Sequence, residues 1–425
     1  MLSTLRNAWK VKELKQKIIF TLLMIAIFRM GNFIPVPGID TSKLTALAKS
    51  GTLFGFYDLL SGGAFSRFSI FAMGVTPYIN ASIIMQLLTF AIPSLESLSK
   101  EGEEGRKKIQ NYTKIASIVL GFLQAFGTYA IITGYGALKP MSAFNIFVIM
   151  LTLTAASTFL MWLGEQITVK GLGNGVSILI FVNIISRLPQ TVFKLSELES
   201  TGSVNIIQII VFVLVILLLL VGVVITNKGE RRVPVQYAGK TTGRKVMKGG
   251  SSHIPISMSS SGVIAIIFAM SVMQFPATIA QFMPNSKFAA FINGSPYSLF
   301  KPNSWQYAVM YAILIIFFSW FYTEITFKPD EMAENMHKSS GFIPGIRPGK
   351  PTQEFLEKVL LRVSIIGGVF ASIIAVLPIL IDAYTSFKGI SFGGTALLIE
   401  VGVALDTMRQ LESQLVMRHY KGFLK

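Results

Sequence analysis

The chain has 425 residues, 52% of them apolar and 14% charged, where a soluble domain carries roughly a quarter charged residues. That balance argues against a soluble globular protein, and a net charge of +17 gathered in clusters between long apolar runs argues against a nucleic-acid-binding domain. Zero cysteines exclude disulfides, thiolate metal sites and cysteine nucleophiles, and the widely separated His253, His337 and His419 argue against a histidine metal cluster.

A hydrocarbon core of about 30 Å takes about 20 apolar residues per helix. Ten runs near that length predict membrane spans, numbered here in chain order: Ile18–Ile34, Thr76–Ile92, Thr113–Tyr135, Asn145–Leu163, Val176–Phe193, Val204–Thr226, Ser259–Gln274, Trp305–Phe327, Val359–Asp382 and Thr395–Leu411. The basic stretch Lys10, Lys12, Lys15, Lys17 ahead of span 1 has the look of a signal peptide. No small-residue cleavage site follows it, so span 1 is read as retained. Between spans 1 and 2 the segment TLFGFYDLLSGGAFSRFSIFAMG is apolar, broken by glycine and too short to cross, which predicts a short helix re-entering from outside; such backbone is tolerated at membrane depth only inside protein or along a cavity. GLGNG (171–175) precedes an apolar span instead of following a strand, so it reads as a tight turn at a helix start and not as a dinucleotide fingerprint.

The stretch Lys194–Asn205 is polar and reads as helix-poor. It joins five spans to five, and an odd number per half inverts one half relative to the other, as in many transporters. Two later loops are long. Asn227–Met258 carries seven Lys+Arg, with the strand-like segments RRVPVQY and GRKVMKG around a turn-rich AGKTT, which predicts a basic hairpin. Lys328–Lys358 contains SSGFIPGIRPGKPT, whose glycines and prolines predict a rigid, non-helical tip. Charge alone leaves both loops open to two readings, topology-determining charge at the headgroups or a docking surface; their length favours docking. Most lysines and arginines fall in the termini and even-numbered loops, which places both termini in the cytoplasm.

The chain has no HExxH, no GxSxG, no Walker loop and no paired carboxylates at helical spacing within a span. Charges inside spans are the default functional candidates in a membrane protein. Arg29 reads mainly as structural, snorkelling or capping a neighbour, while Glu400 keeps open a secondary transporter with that residue as proton site. A structural scaffold is a third reading. Spans 2 and 7 are marginally apolar, with Thr76, Asn80, Ser82 and Gln86 in one and Ser271 and Gln274 in the other, and with Pro77 and Pro276. In a static bundle these polar groups are interhelical glue; in a channel that opens sideways they form a hydratable seam.

FIPVPG, SGGAFSRFSIFAMGVTPYINASIIMQLL, EGEEGRKKIQNYT, WLGEQIT, GLGNGVSI, QYAGKTTGRKV, FIPGIRPGKPT and GGTALLIEVG, in that order and nearly end to end, resemble the SecY family, the large subunit of the bacterial Sec protein-conducting channel. The resemblance implies an all-α polytopic membrane protein of ten transmembrane helices. Two inverted five-helix halves, 1–193 and 204–425, would flank an external connector, 194–203, and enclose an hourglass pore. The cytoplasmic loops would be 227–258 and 328–358, and the cytoplasmic tail 412–425.

It further implies an aliphatic pore ring at Ile79, Ile83, Val176, Ile180, Ile267 and Ile399. The 79/83 and 176/180 spacings each present two side chains on one helical face, and a narrow apolar constriction excludes ions by dewetting. The implied plug is Leu53, Phe54, Gly55, Phe56, Tyr57, Asp58, Leu59, Leu60, Ser61, Gly62 and Gly63, with the last two as hinge. The implied lateral gate, between spans 2 and 3 and spans 7 and 8, carries Thr76, Asn80, Gln86, Ser271 and Gln274. Arg244, Lys245, Arg347 and Lys350 would dock the SecA ATPase and the ribosome, whose RNA suits arginine's planar fork. The other implied partners are SecE, SecG, signal peptides, nascent chains and membrane lipids, in the bacterial inner membrane. No enzymatic activity, cofactor or metal is implied, so the driving energy comes from outside the chain. Two residues depart from the family pattern: Glu400 stands where an aliphatic residue is expected, and Val176 is one methylene smaller than the usual isoleucine.

Overall fold

The computed structural model describes residues 2–37, 39, 61–134, 142–202, 204–237, 240–242, 245–247, 250–258, 262–282, 286–294, 298–300, 304–385, 387 and 394–422. Leu53 to Leu60 of the expected plug and Arg244 lie outside the described residues, as do the side chains of Lys245 and Gln274.

Among the described residues nine of the predicted runs fall mainly on one helix each, and Val176–Phe193 is divided between two. In chain order the helices are α1 (Leu2–Lys10), α2 (Lys12–Gly31), α3 (Thr76–Ala91), α4 (Pro93–Lys100), α5 (Glu103–Gly134), α6 (Ala143–Lys170), α7 (Gly175–Ile185), α8 (Leu188–Ser200), α9 (Ile206–Lys228), α10 (Gly262–Phe282), α11 (Lys287–Gly294), α12 (Trp305–Phe327), α13 (Pro329–Lys338), α14 (Lys350–Tyr384) and α15 (Gly394–Gly422). By length and hydropathy, five segments suffice to cross a membrane: Ala143–Lys170, Gly175–Ser200, Ile206–Lys228, Trp305–Lys338 and Lys350–Ile381. Helices α3 and α4, bent by 99°, make a sixth if taken together. The remaining predicted spans lie on α2, α5, α10 and α15. The architecture is all-α and polytopic.

Close approaches need small residues. A Cβ on Gly175 would lie 1.9 Å from the Gly164 carbonyl oxygen, and one on Gly367 would lie 2.1 Å from that of Met258. The GLGNG segment is the tight turn expected: Gly173 has φ +74°, and the Asn174 side chain caps α7 by accepting from the Ser177 N–H at 3.2 Å.

The buried apolar residues form two large cores. The first joins α2, α6 and α7 through Phe28, Leu160, Leu163, Leu179 and Ile180. The second joins α9, α10, α12 and α14 through Val223, Phe268, Tyr311, Ile315 and Ile374. Helix α15 serves both, with Ile399 and Val403 in the first and Leu398 in the second.

Two expectations need correction. The stretch read as helix-poor is helical through Ser200, because Leu195 and Leu198 pack on Val204, Phe212 and Phe387 and so reward the helix α8. The basic hairpin exists, but RRVPVQY does not pair with GRKVMKG. Strand β1 (Glu230–Tyr237) pairs antiparallel with the later segment β4 (Ser251–Ser257), while β2 (Lys240–Thr242) and β3 (Lys245–Met247) form a separate two-stranded sheet between them. Burial selects this register: Val233, Val235 and Ile256 sit over Ala333, Met336, Leu356 and Leu360 of α13 and α14. The loop 328–358 is largely helical at both ends, and its non-helical part supplies β5 (Gly341–Phe342), a third strand on β1. Residues 61–74 of the re-entrant segment form turns, while most of the expected short helix, 53–60, lies outside the described residues. Gly62, Gly63 and Gly74 hold positive φ, and the chain pairs back on the end of span 1 through Val36 N–H to Phe68 O (2.9 Å) and Ile70 N–H to Ile34 O (3.0 Å). Its apolar side chains Phe65, Phe68 and Phe71 are buried, as re-entrant backbone requires.

Candidate functional site

The expected ring residues lie where the two cores meet. Ile180 and Ile399 are buried in the first core, and Ile79 and Val176 pack against it. Ile83, one helical turn from Ile79, packs against the second core instead. Ile267 on α10 is half-buried and falls in neither core. Three helices, α3, α7 and α15, thus bring aliphatic side chains to the boundary of the two cores.

Glu400, directly after Ile399, is half-buried, and its Oε1 is buried without a hydrogen-bond partner. On the helix wheel it stands about 100° from Ile399, beside the exposed Ala404.

The segments expected to form the gate pack together by apolar contact. Ile83 and Leu87 of α3 pack against the core built by α10, α12 and α14, and α5 touches α10. Phe90 meets Phe321 edge-on, with ring centroids 6.0 Å apart. Thr76, Asn80 and Ser271 are half-buried, and Gln86 is exposed. Below the aromatic pair, Lys100 at the end of α4 lies 3.8 Å from Glu331 of α13. It also pairs with Glu96 at 2.9 Å, and this hydrogen-bonded ammonium holds the Glu96 carboxyl below, and is itself raised above, the ordinary range. Neither the aromatic contact nor the ion pair carries a sequence signal, since each joins residues more than two hundred positions apart.

The basic loops are built on one platform. The sheet β4–β1–β5 rests on α13 and the N-terminal part of α14. Arg347 and Lys350 are exposed at its edge. The Arg347 carbonyl accepts a hydrogen bond from Thr352 Oγ1 at 2.9 Å, and Gly345 and Gly349 hold φ of +82° and +96°. The turn is fixed while the guanidinium is left free to reach a carboxylate or phosphate. Lys245 opens β3 on the separate two-stranded sheet.

At the outer side, Arg29 donates to Ser186 Oγ at 3.0 Å, and Asn32 Nδ2 donates to Asn183 Oδ1 at 3.3 Å. The capping reading of Arg29 fits this contact. Sequence reasoning singled out neither Asn32 nor Asn183.

The SecY family model matches residues 69–408. The chain belongs to the SecY family. It is 42% identical to the protein translocase subunit SecY of Halalkalibacterium halodurans, over all of both chains. Among solved structures it is similar to a protein-conducting channel, with TM-score 0.64 and 20% identity over 94% of this chain and 92% of that one. It is also similar to Sec61 in the canine ribosome–channel complex from the endoplasmic reticulum, with TM-score 0.62 and 20% identity over the same shares.

Proposed function

We propose that this chain is the pore subunit of a bacterial protein-conducting channel. It passes unfolded polypeptide across the cytoplasmic membrane and releases apolar segments sideways into lipid. The observation that carries this reading is the junction of Ile79, Ile83, Val176, Ile180 and Ile399 between two separate cores. An aliphatic neck between two bodies can widen by their relative movement, and while narrow it repels ions because water leaves a small apolar gap.

In this reading Ile267 completes the ring, the segment 53–63 is the plug, and the α3–α5 and α10–α12 seam is the lateral gate, with Thr76, Asn80, Gln86, Ser271 and Gln274 lowering its apolarity. The chain performs no covalent chemistry. Arg244, Lys245, Arg347 and Lys350 receive SecA or the ribosome, both termini lie in the cytoplasm, and SecE and SecG complete the complex. Residues 1–193 and 204–425 act as the two moving halves, joined outside through 194–203.

The test is reconstitution. The chain with SecE in liposomes, given SecA, ATP and a secretory preprotein, is expected to protect the preprotein from added protease. No protection, with the chain folded and correctly inserted, contradicts the proposal.

A further inference from the structure

The turn Ser61–Gly62–Gly63 lies against polar side chains from two spans. Gly62 and Gly63 hold φ of +65° and +89°, the left-handed region that glycine enters without a Cβ penalty. The missing side chain at Gly62 also makes room, since a Cβ there would lie 2.6 Å from Asn183 Oδ1 and 3.1 Å from Arg29 Nη1. At Gly63 the nearest atom would be Arg187 Nη2, at 3.2 Å. The walls of this pocket are tied to one another. Arg29 Nη1 donates to Ser186 Oγ at 3.0 Å, Ser186 Oγ donates to the Asn183 carbonyl at 2.7 Å, and Asn32 Nδ2 donates to Asn183 Oδ1 at 3.3 Å. The turn is further fixed from within by Phe65 N–H donating to Ser61 Oγ at 3.1 Å. Ser61, Asn32 and Asn183 are all buried.

Charge works against this arrangement. Arg29 and Arg67 both stack on the Phe33 ring, at 5.8 and 4.7 Å from its centroid, and Arg187 adds a third guanidinium beside the turn. Like charges so close repel, and a charge within a span is expensive unless something is gained from it. The hydrogen bonds of Arg29 and Ser186 act against the repulsion among these guanidiniums.

We propose that Arg29, Asn183 and Ser186 are positioning residues that clasp the Gly62–Gly63 turn to the outer ends of spans 1 and 5, and that the clasp maintains the channel's resting seal, an inference that rests on the channel reading above. The full chain in its complex, naturally free of cysteine, receives a single thiol by Ser61→Cys. Labelling by a membrane-impermeant maleimide from the outer side is measured beside ion conductance at rest. Arg29→Ala is expected to raise the labelling rate at least tenfold and to raise the conductance, while Arg29→Lys, which keeps the charge and a donor, stays within about twofold of the parent. Ser186→Ala removes the acceptor with little change of volume, gives the same direction of change, and keeps the test available if Arg29→Ala does not accumulate. Parent-like labelling in both alanine variants overturns the clasp. Faster labelling with unchanged conductance leaves the clasp standing and overturns the link between this turn and the seal.

Discussion

Leu398 and Ile399 are adjacent in sequence yet pack into different cores, Leu398 with α9, α10, α12 and α14 and Ile399 with α2, α6 and α7. Ile79 and Ile83, one turn apart on α3, are divided in the same way. Helices α3 and α15 therefore stand at the boundary between two packed bodies, and under the proposed function the aliphatic residues there form the constriction. Replacing both Ile83 and Ile180 with serine is expected to hydrate the constriction and raise resting ion conductance several-fold in planar bilayers. Unchanged conductance in a folded double variant would count against the ring.

The cytoplasmic end of the seam is expected to depend on charge order. Lys100→Glu places an acid beside Glu96 and Glu331, and Glu331→Lys a base beside Lys100 and Lys328, so each single variant favours the open seam. The contact is exposed, so the shift is small and fades with salt. Because the Glu96 carboxyl titrates below its ordinary range in the fold, its pairing with Lys100 is present at neutral pH and is lost as the pH falls through that lowered value. Crosslinking between thiols placed at Phe90 and Phe321 reports seam closure, and equal yields in all charge variants would remove this assignment.

Backbone crowding predicts a contrast between glycines. Gly175→Ala drives a Cβ to 1.9 Å from the Gly164 carbonyl oxygen, rigid backbone that cannot yield cheaply, so a loss of at least about 1–3 kcal/mol and reduced accumulation are expected. Gly250→Ala meets nothing within 4 Å and is expected to be silent. Thermal unfolding of the detergent-purified variants checks both.

Arg347→Glu is expected to abolish SecA-driven translocation while leaving the unfolding temperature unchanged. The side chain is exposed, and the turn is held through its backbone carbonyl by Thr352. Full translocation in this variant would remove Arg347 from the docking surface.

The spans were legible because their ends carry local signals. Trp305–Phe327 was read to the residue, where an apolar run follows Ser304, whose hydroxyl accepts from the Tyr307 N–H at 3.2 Å. Thr76 was read for a similar reason, with Pro77 in the first helical turn. Polarity misled at Lys194–Ser200, where two leucines in an otherwise polar stretch find an apolar seat on Val204 and Phe212 that only the fold supplies. The hairpin was found but mispaired, since strand pattern is local and the choice of partner is made by what Val233 and Val235 bury against. The candidate constriction was not legible from periodicity at all. Ile79 and Ile399 look like ordinary packing residues until helices three hundred residues apart are set side by side, and it was the resemblance to a family that singled them out.

The most direct test places one thiol at Ile83 of this cysteine-free chain and one midway along a secretory substrate stalled in transit, followed by oxidation. A disulfide adduct that requires SecA and ATP is predicted, because the translocating chain must pass the junction of the two cores. No adduct at Ile83 or at the neighbouring positions Ile79, Ile180 and Ile399 would contradict passage through that junction.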